Sequence, residues 1–353
     1  MDIHSTPIEQ RIDWLLDYVA QHSADFTTPD SWLARSRYLA CHPTSITVLK
    51  CMDGRINFTH ATQTPQGIIL PIRNLGGMFD LGWPYLGETL TDHVQGVVSQ
   101  GRRSLILINY HFSKGNPLRG CAGFNYDVEA AKAHAYEIKR QVEHVFGVSH
   151  STVYPVVCGF ETDDDALILH GSNGDTLDMS QLRPQDRDTL LPRLERLFPD
   201  MSQQMRQDLL PLMVGNLAHI EEARRMQRQL DNVHREWMIC VGRGFDFMHI
   251  PNVALIIGPY SPSLGEPIQI AAGIIESNMR EGLIPDDGFL LLSSVSYRNP
   301  GVERARAELK ARFLADFAVE QIRHSHPQLA GKMHRRIAVS NDQSHAMEFL
   351  PEG

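Results

Sequence analysis

The sequence predicts an α/β protein: a mainly parallel β-sheet flanked by helices, present twice with a diverged second copy, plus helical segments at the N-terminus and between the copies. Three observations carry this prediction. Short apolar, β-branched runs at residues 46–49, 67–72, 105–108 and 153–157 have the texture of strands covered on both faces. A long stretch of helical periodicity separates the third run from the fourth, and strands alternating with helices indicate parallel pairing. The same order of elements then returns in the last third of the chain, as a duplication would leave it.

Residues 8–40 read as helical, because Ile12, Leu15, Leu16 and Val19 recur at helical spacing and Trp32, Leu33 and Tyr38 follow a Pro29-Asp30 break. After the first three strand runs, Val128, Ala131, Ala135, Ile138, Val142 and Val145 form one helical stripe. Asp127 supplies its N-cap and Gly147 its stop. Residues 176–233 place Leu190, Leu194, Leu197, Met205, Leu209 and Leu212 at helical spacings and read as connecting helices. Residues 237–241 then lead into Gly242-Arg243-Gly244, as residues 47–51 lead into Gly54-Arg55. Residues 289–293 match 105–109, and Asn299-Pro300 matches Asn116-Pro117. The helix after Asn299-Pro300 is expected to turn Val302, Ala305, Leu309, Phe313 and Phe317 inward. Residues 336–340 stand where 153–157 stood. The chain so divides into an N-terminal helical segment (1–43), a first α/β domain (44–175), a helical connector (176–233) and a degenerate repeat (234–353).

Composition narrows the function. The 353 residues carry 33 Lys+Arg against 42 Asp+Glu, a net charge of -9, so no global basic field gathers nucleic acid. No apolar run approaches the roughly 18 residues of a membrane span. Met1-Asp2-Ile3-His4-Ser5 lacks the basic start of a secretory signal. Five Cys is an odd and sparse count, which points to a reducing, cytoplasmic setting and to thiols used for metal binding or catalysis.

The chemistry gathers at predicted strand ends. Cys51-Met52-Asp53-Gly54-Arg55 closes the first strand, His111 stands three residues past the third run, and Cys121-Ala122-Gly123 precedes a helix. Ligands of open α/β sheets bind outside the carboxyl ends of the strands. Two thiolates and an imidazole suit zinc, with a fourth position left for water as in catalytic sites. Asp53 and Arg55 share a side with Cys51 if the strand continues. A carboxylate held by a guanidinium there accepts a proton from zinc-bound water and orients the hydroxide.

These residues resemble the β-carbonic anhydrase superfamily. Its members show Cys-x-Asp-x-Arg, then a strand leading to an Arg-Asn-Ala-Gly-like turn, then His and Cys-Gly at the end of a later strand. Here the pieces are residues 51–55, then Arg73-Asn74-Leu75-Gly76-Gly77, then His111 and Cys121-Ala122-Gly123. The resemblance implies zinc on Cys51, His111 and Cys121, with Asp53 and Arg55 as a catalytic dyad. It also implies reversible hydration of CO2 to bicarbonate by a zinc-bound hydroxide, in a homo-oligomer. Three departures stand out: residues 112–120 separate His from Cys where two residues are usual, Gly54 replaces a Ser, and Ala122 precedes Gly123. The long loop, Gly54 and the degenerate second copy are most similar to the carboxysome-shell branch, which implies association with a carboxysome. A hydrolase of carbonyl sulfide or carbon disulfide on the same scaffold is the first rival. A zinc-stabilised shell or scaffold protein without turnover is the second, and it has no use for a dyad. A thiol phosphatase loop is disfavoured, because Asn57 stands where Cys-x5-Arg needs Arg.

The second copy cannot repeat the zinc site. With Cys240 placed on Cys51, Gly242 and Gly244 fall on Asp53 and Arg55, and residues 251–323 contain no His or Cys. One metal per chain is expected, with the second copy as a fused pseudo-partner. Cys41 and Cys158 read as buried structural thiols. His60 and His93 lie between motif pieces and are secondary relay candidates. Met201, Met205, Met213 and Met226 read as packing. Gly242-Arg243-Gly244 lacks the third glycine of a phosphate fingerprint, with Phe247 in its place. Asp163-Asp164-Asp165 reads as a solvated turn.

Overall fold

The computed structural model describes residues 2–226, 233–247, 250 and 252–351, so residues 227–232 of the segment read as helical lie outside the described residues. Two helices, α1 (Ile8–Phe26) and α2 (Pro29–Cys41), precede the first strand. The chain forms two compact units that do not follow its order. The first comprises Ala34–Cys51 and Arg55–Val233; the second comprises Met1–Leu33, Met52–Gly54 and His234–Gly353.

The first unit is built on a six-stranded sheet. Its strands are β1 (Ser45–Cys51), β2 (Ile69–Asn74), β3 (Ser104–Phe112), β4 (Val153–Glu161), β5 (Ala166–His170) and β6 (Thr176–Asp178), in the order β2-β1-β3-β4-β5-β6. The first four are parallel, and β5 and β6 are antiparallel. Every residue of β1 and β4 is buried, which is why their sequences run apolar without alternation. A short helix, α3 (Phe58–Ala61), and then α4 (Pro84–Ser99) separate β1, β2 and β3. The helix α5 (Val128–Phe146) starts where Asp127 accepts the Ala130 N–H at 3.0 Å and stops at Gly147 with φ 93°. It buries Ala131, Ala135, Ile138 and Val142, whereas Val145 at its end is exposed.

Two further helices, α6 (Leu190–Leu197) and α7 (Gln203–Arg225), follow the sheet. On α7 the buried Asn216 donates to the Ala61 and Asp165 carbonyls at 2.9 and 2.8 Å and accepts the Leu167 N–H at 3.0 Å. Buried Asp208 accepts the Thr44 N–H at 2.9 Å. These bonds tie α7 to β5 and to the start of β1. The strands β5 and β6 went unread in the sequence, and β6 falls within the segment read as helical. Three residues, Thr176-Leu177-Asp178, are too few to display a period.

The second unit repeats the plan. Its strands are β7 (Met238–Val241), β8 (Ala254–Ile257), β9 (Phe289–Tyr297), β10 (Met333–Asn341) and β11 (Met347–Phe349), in the order β11-β10-β9-β7-β8. From the opposite edge this is β8-β7-β9-β10-β11, the connectivity of β2-β1-β3-β4-β5, again parallel until an antiparallel last strand. The helices α8 (Gly265–Arg280) and α9 (Val302–Ser325) occupy the places of α4 and α5. The duplicated α/β architecture read from the sequence is therefore present. Helix α1 belongs to this unit, where buried Arg11 donates to the Asp287 carboxylate and sits 5.5 Å over the Trp237 ring.

The packing face of α9 corrects the sequence reading. Val302, Leu309 and Phe313 are exposed, as is Ala305, while Phe317 is half-buried. Ala307, Ala311, Leu314, Ala315, Ala318, Val319 and Ile322 point inward instead. The helix carries two apolar stripes at helical spacing. The one rich in Ala packs on Ile337 and Val339 of β10, because small side chains allow close approach.

His22 of α1 stacks on Phe247 and His345, with its Nε2 3.0 Å from His345 Nδ1. Burial pushes its pKa from 6.5 down to about 4, against the opposing effect of Asp25. A depressed folded-state pKa gives stability that is complete above pH 6.5 and is lost as pH falls toward 4. Chemical denaturation at pH 7.5 and 4.5 is expected to show a loss of up to about 3 kcal/mol from this group. The loss should shrink in His22→Phe, which keeps the stack and cannot ionise. An equal loss in both chains would contradict the assignment.

Candidate metal centre

Parallel pairing sets the position of the first two side chains. β1 and β3 are neighbours in register from Ser45↔Ser104 to Leu49↔Ile108, and Cys51 and His111 lie just beyond, toward the carboxyl ends. Cys121 caps a short turn, Ala122–Phe124, that follows the long loop. The ligand atoms of Cys51, His111 and Cys121 all lie within 4.8 Å of one another, and the three residues are 5%, 2% and 3% exposed.

Glycines make this convergence fit. The turn after β2 places Gly76 and Gly77 at φ 65° and 67°, the left-handed region that glycine enters without cost. A Cβ on Gly77 would stand 2.9 Å from the Asn109 carbonyl and 3.5 Å from the Cys51 nitrogen. A Cβ on Gly123 would stand 2.9 Å from Gly76 Cα. The turn read from the sequence as Arg73-Asn74-Leu75-Gly76-Gly77 is thus wedged between the strand ends and the Cys121 segment. Arg73 and Asn74 are buried there, with Asn74 beside Cys51 in the β1–β2 register. Asn74 Nδ2 donates to the Met78 carbonyl at 2.7 Å.

The loop from His111 to Cys121 is anchored by polar contacts. Asp163 accepts the Ser113 hydroxyl at 2.8 Å and the Gly115 N–H at 2.6 Å. Glu161 accepts the Lys114 N–H at 3.3 Å, and Lys114 Nζ donates to Ser180 Oγ at 2.7 Å. Arg55 donates to the Arg119 carbonyl at 2.9 Å, two residues before Cys121. Burial raises the Glu161 pKa; it also opposes ionisation of Asp163, but the Gly115 and Ser113 hydrogen bonds outweigh it and hold Asp163 low. The acidic run therefore departs from the solvated turn expected of it. Besides Asp163, Asp164 binds Arg224 at 2.6 Å and Asp165 binds His219 at 2.8 Å.

Asp53 and Arg55 are both buried. Asp53 lies in the second unit, with its Oδ2 3.9 Å from His234 Nε2, and His234 Nδ1 faces both oxygens of buried Glu236. Neither His234 nor Glu236 was singled out in the sequence; they stand far along the chain, outside every motif. The secondary candidates have other contacts: His60 packs its ring edge-on to His219, and His93 Nε2 lies 3.1 Å from Ser45 Oγ. Cys158 is buried, and burial pushes its thiol up to about 12, which keeps it protonated. Cys41 corrects the reading as a buried thiol, since it is exposed at the end of α2.

The second copy is tightly packed just beyond the end of β7. Gly242 has φ 112°, and a Cβ there would stand 2.2 Å from the Ser294 carbonyl; one on Gly244 would stand 2.2 Å from Ser294 Oγ. Backbone and Ser294 leave no room for a side chain at either position. Asn299-Pro300 also runs into α9 at Val302, whereas Asn116-Pro117 is followed by the Cys121 segment before α5 begins at Val128. The second copy has no counterpart of that segment between its Asn-Pro and its helix.

Two outcomes follow. Asp163→Ala should release the loop and weaken whatever metal binding the Cys51, His111 and Cys121 group shows by about 10–100-fold in a chelator competition, with a cooperative thermal transition retained. Gly242→Ala should cost at least about 2 kcal/mol in a denaturant titration, from the clash and the positive φ together. Unchanged values would show that neither contact matters.

No known family profile matches the chain. A curated protein described as a carboxysome shell carbonic anhydrase, from Hydrogenovibrio crunogenus (strain DSM 25203 / XCL-2), is 28% identical over 142 residues. The match covers 36% of this chain and 27% of that relative, so it spans about a quarter of the relative's own length. The chain is thus similar over part of its length to a carboxysome shell carbonic anhydrase, which supports the suspected relationship to the β-carbonic anhydrase superfamily.

Proposed function

We propose that the chain is a zinc carbonic anhydrase of the β type, interconverting CO2 and bicarbonate. The observation that carries this reading is the buried convergence of Cys51, His111 and Cys121 within 4.8 Å at the carboxyl ends of adjacent parallel strands. The donor set fits zinc: two sulfurs and one ring nitrogen, soft to borderline, leave a tetrahedral ion one position for a small molecule. Cys51, His111 and Cys121 would hold the ion. When bound, zinc supplies a Lewis acid that brings the pKa of water from 15.7 to about 7.

The rest of the reaction falls to the chain. Asp53, two residues beyond Cys51, accepts a hydrogen bond from the attacking water and fixes its orientation. Arg55 supplies the compensating positive charge for Asp53. Through the Arg119 carbonyl it also steadies the loop that delivers Cys121. Burial of the site keeps bulk water from competing with these contacts. The similarity to a carbonic anhydrase supports CO2 as the substrate over carbonyl sulfide or carbon disulfide. The relative's name extends the proposal to work at a carboxysome shell, and the resemblance extends it to a homo-oligomer. Light scattering that gave a monomer would remove the oligomer.

Stopped-flow CO2 hydration with zinc analysis tests the reading. Wild type should turn over in proportion to zinc, at one zinc per chain. Cys51→Ala should lose both zinc and turnover. Asp53→Asn should keep zinc and lose about 10²-fold or more in kcat/KM. A zinc-loaded wild type that ignores CO2 and hydrolyses carbonyl sulfide would overturn the substrate. One that acts on neither would leave the scaffold reading.

A further inference from the structure

We propose that the outer face of α9 is a self-complementary surface on which two copies of this chain meet with these helices antiparallel. The proposal deepens one part of the reading above, the homo-oligomer, and rests on no part of the metal chemistry. Val302, Leu309 and Phe313 are 68%, 70% and 66% exposed. A lone exposed apolar side chain is ordinary, but these are not scattered. At about 100° per residue, Val302, Arg306, Leu309, Phe313, Phe317 and Glu320 fall within an arc of about 80°. Leu309 and Phe313 are neighbours one turn apart, and the Phe313 and Phe317 rings stack with centroids 6.3 Å apart.

The first copy of the α/β unit supplies an internal control. Its helix α5 holds the place that α9 holds in the second copy. The outer face of α5 carries Glu129, Glu137 and Arg140, and it is laced by ion pairs of Lys132 with Glu129 at 3.0 Å and of Arg140 with Glu137. Pairs at that spacing are how a helix face meets water. The same architectural position is polar in one copy and apolar in the other, so its place in the fold does not account for the apolar stripe.

Charge selects the occupant. Arg306 and Glu320 are exposed, and neither has a hydrogen bond or ion pair among the described residues. Arg304, Arg312 and Asp316 beside them are instead paired within the chain, with Glu348, Glu308 and Arg335. Arg306 stands seven residues before Phe313 and Glu320 seven residues after it. A twofold axis at Phe313 therefore sets Arg306 against Glu320 of the partner subunit, twice over. The same axis sets Leu309 toward Phe317 of the partner subunit, and Phe313 against its own copy. A parallel pairing would oppose like charges at both ends, whereas the antiparallel one also aligns the helix dipoles favourably. Symmetry about a single residue is what an isologous contact requires and what an unrelated partner does not. The 24-residue helix is about 36 Å long and about 10 Å wide, so this face falls short of the roughly 800 Å² per partner of a standard interface. A weak dimer with a micromolar Kd is expected.

Sedimentation velocity on the full chain tests the surface. Wild type should pass from monomer to dimer as its concentration rises through the micromolar range, and added salt should weaken the dimer by screening the end pairs. Phe313→Glu should raise Kd at least about tenfold. Its thermal transition should match wild type, because the side chain it replaces is exposed. Val148→Glu, at a 75% exposed apolar residue of the first unit, should leave Kd unchanged. Arg306→Glu and Glu320→Arg should each raise Kd about tenfold. Combining the two reversals should return Kd to within about threefold of wild type, since each restores the other's partner. A wild type that stays monomeric throughout overturns the surface and the homo-oligomer together. A dimer that Phe313→Glu leaves intact, or that Val148→Glu weakens equally, overturns the surface alone. A double reversal no tighter than either single one overturns the antiparallel pairing. Dimerisation through α9 in a chain without CO2 turnover would uphold the surface and remove only the enzyme reading.

Discussion

The near-contact of two glycine-bearing turns governs the first unit's site. β1 and β3 bring Cys51 and His111 together through register alone, but Cys121 comes from a loop. That loop reaches the strand ends only because Gly123 and Gly76 approach to a separation no side chain allows, and because Gly77 lies against Asn109 and Cys51. Protein interiors do not yield by ångströms to admit a methyl group. The glycines therefore fix where the second thiol stands, and the polar anchors at Asp163, Glu161 and Ser180 hold the loop in that position.

The loop also shows how a longer connection can be as well defined as a shorter one. Nine residues between His111 and Cys121 carry a loop-closure cost that grows only slowly with length. Hydrogen bonds from Ser113, Lys114 and Gly115 to one acidic turn, with the Asn116 side chain capping the Leu118 N–H, restrict the chain at four successive residues. The added length is folded onto the β4–β5 connection, and Arg55 meets it from the other side at Arg119.

The parts legible in the sequence are those written in apolar side chains. Strands covered on both faces show as unbroken runs, so the ends of β1 and β3 could be placed, and with them Cys51 and His111. The caps of α5 at Asp127 and Gly147 are local chemistry and were equally readable. The face of α9 was not, because Leu309 and Phe313 form as regular a stripe as Ala311, Leu314 and Ala318, and periodicity cannot rank two stripes. The brief strands β6 and β11 are shorter than any period. Polar partnerships escaped for a different reason. Asp163 with Gly115, and Glu236 with His234 and Asp53, depend on which distant segments the topology makes neighbours, and hydrophobic patterning is silent about that.

Why the second copy persists without ligands follows from its structure. Its sheet keeps the β8-β7-β9-β10-β11 connectivity, so what it lost is confined to the strand ends. There Gly242 and Gly244 bring backbone onto Ser294, a packing that excludes side chains as firmly as the other glycine turn admits a thiol. The Asn252 and Ile256 N–H groups hold residues 52–54, and the segment before β7 supplies His234 and Glu236. Within this unit the fully buried Glu236 has both oxygens on His234 Nδ1, because a buried polar group is costly unless a hydrogen-bond partner offsets its loss of water.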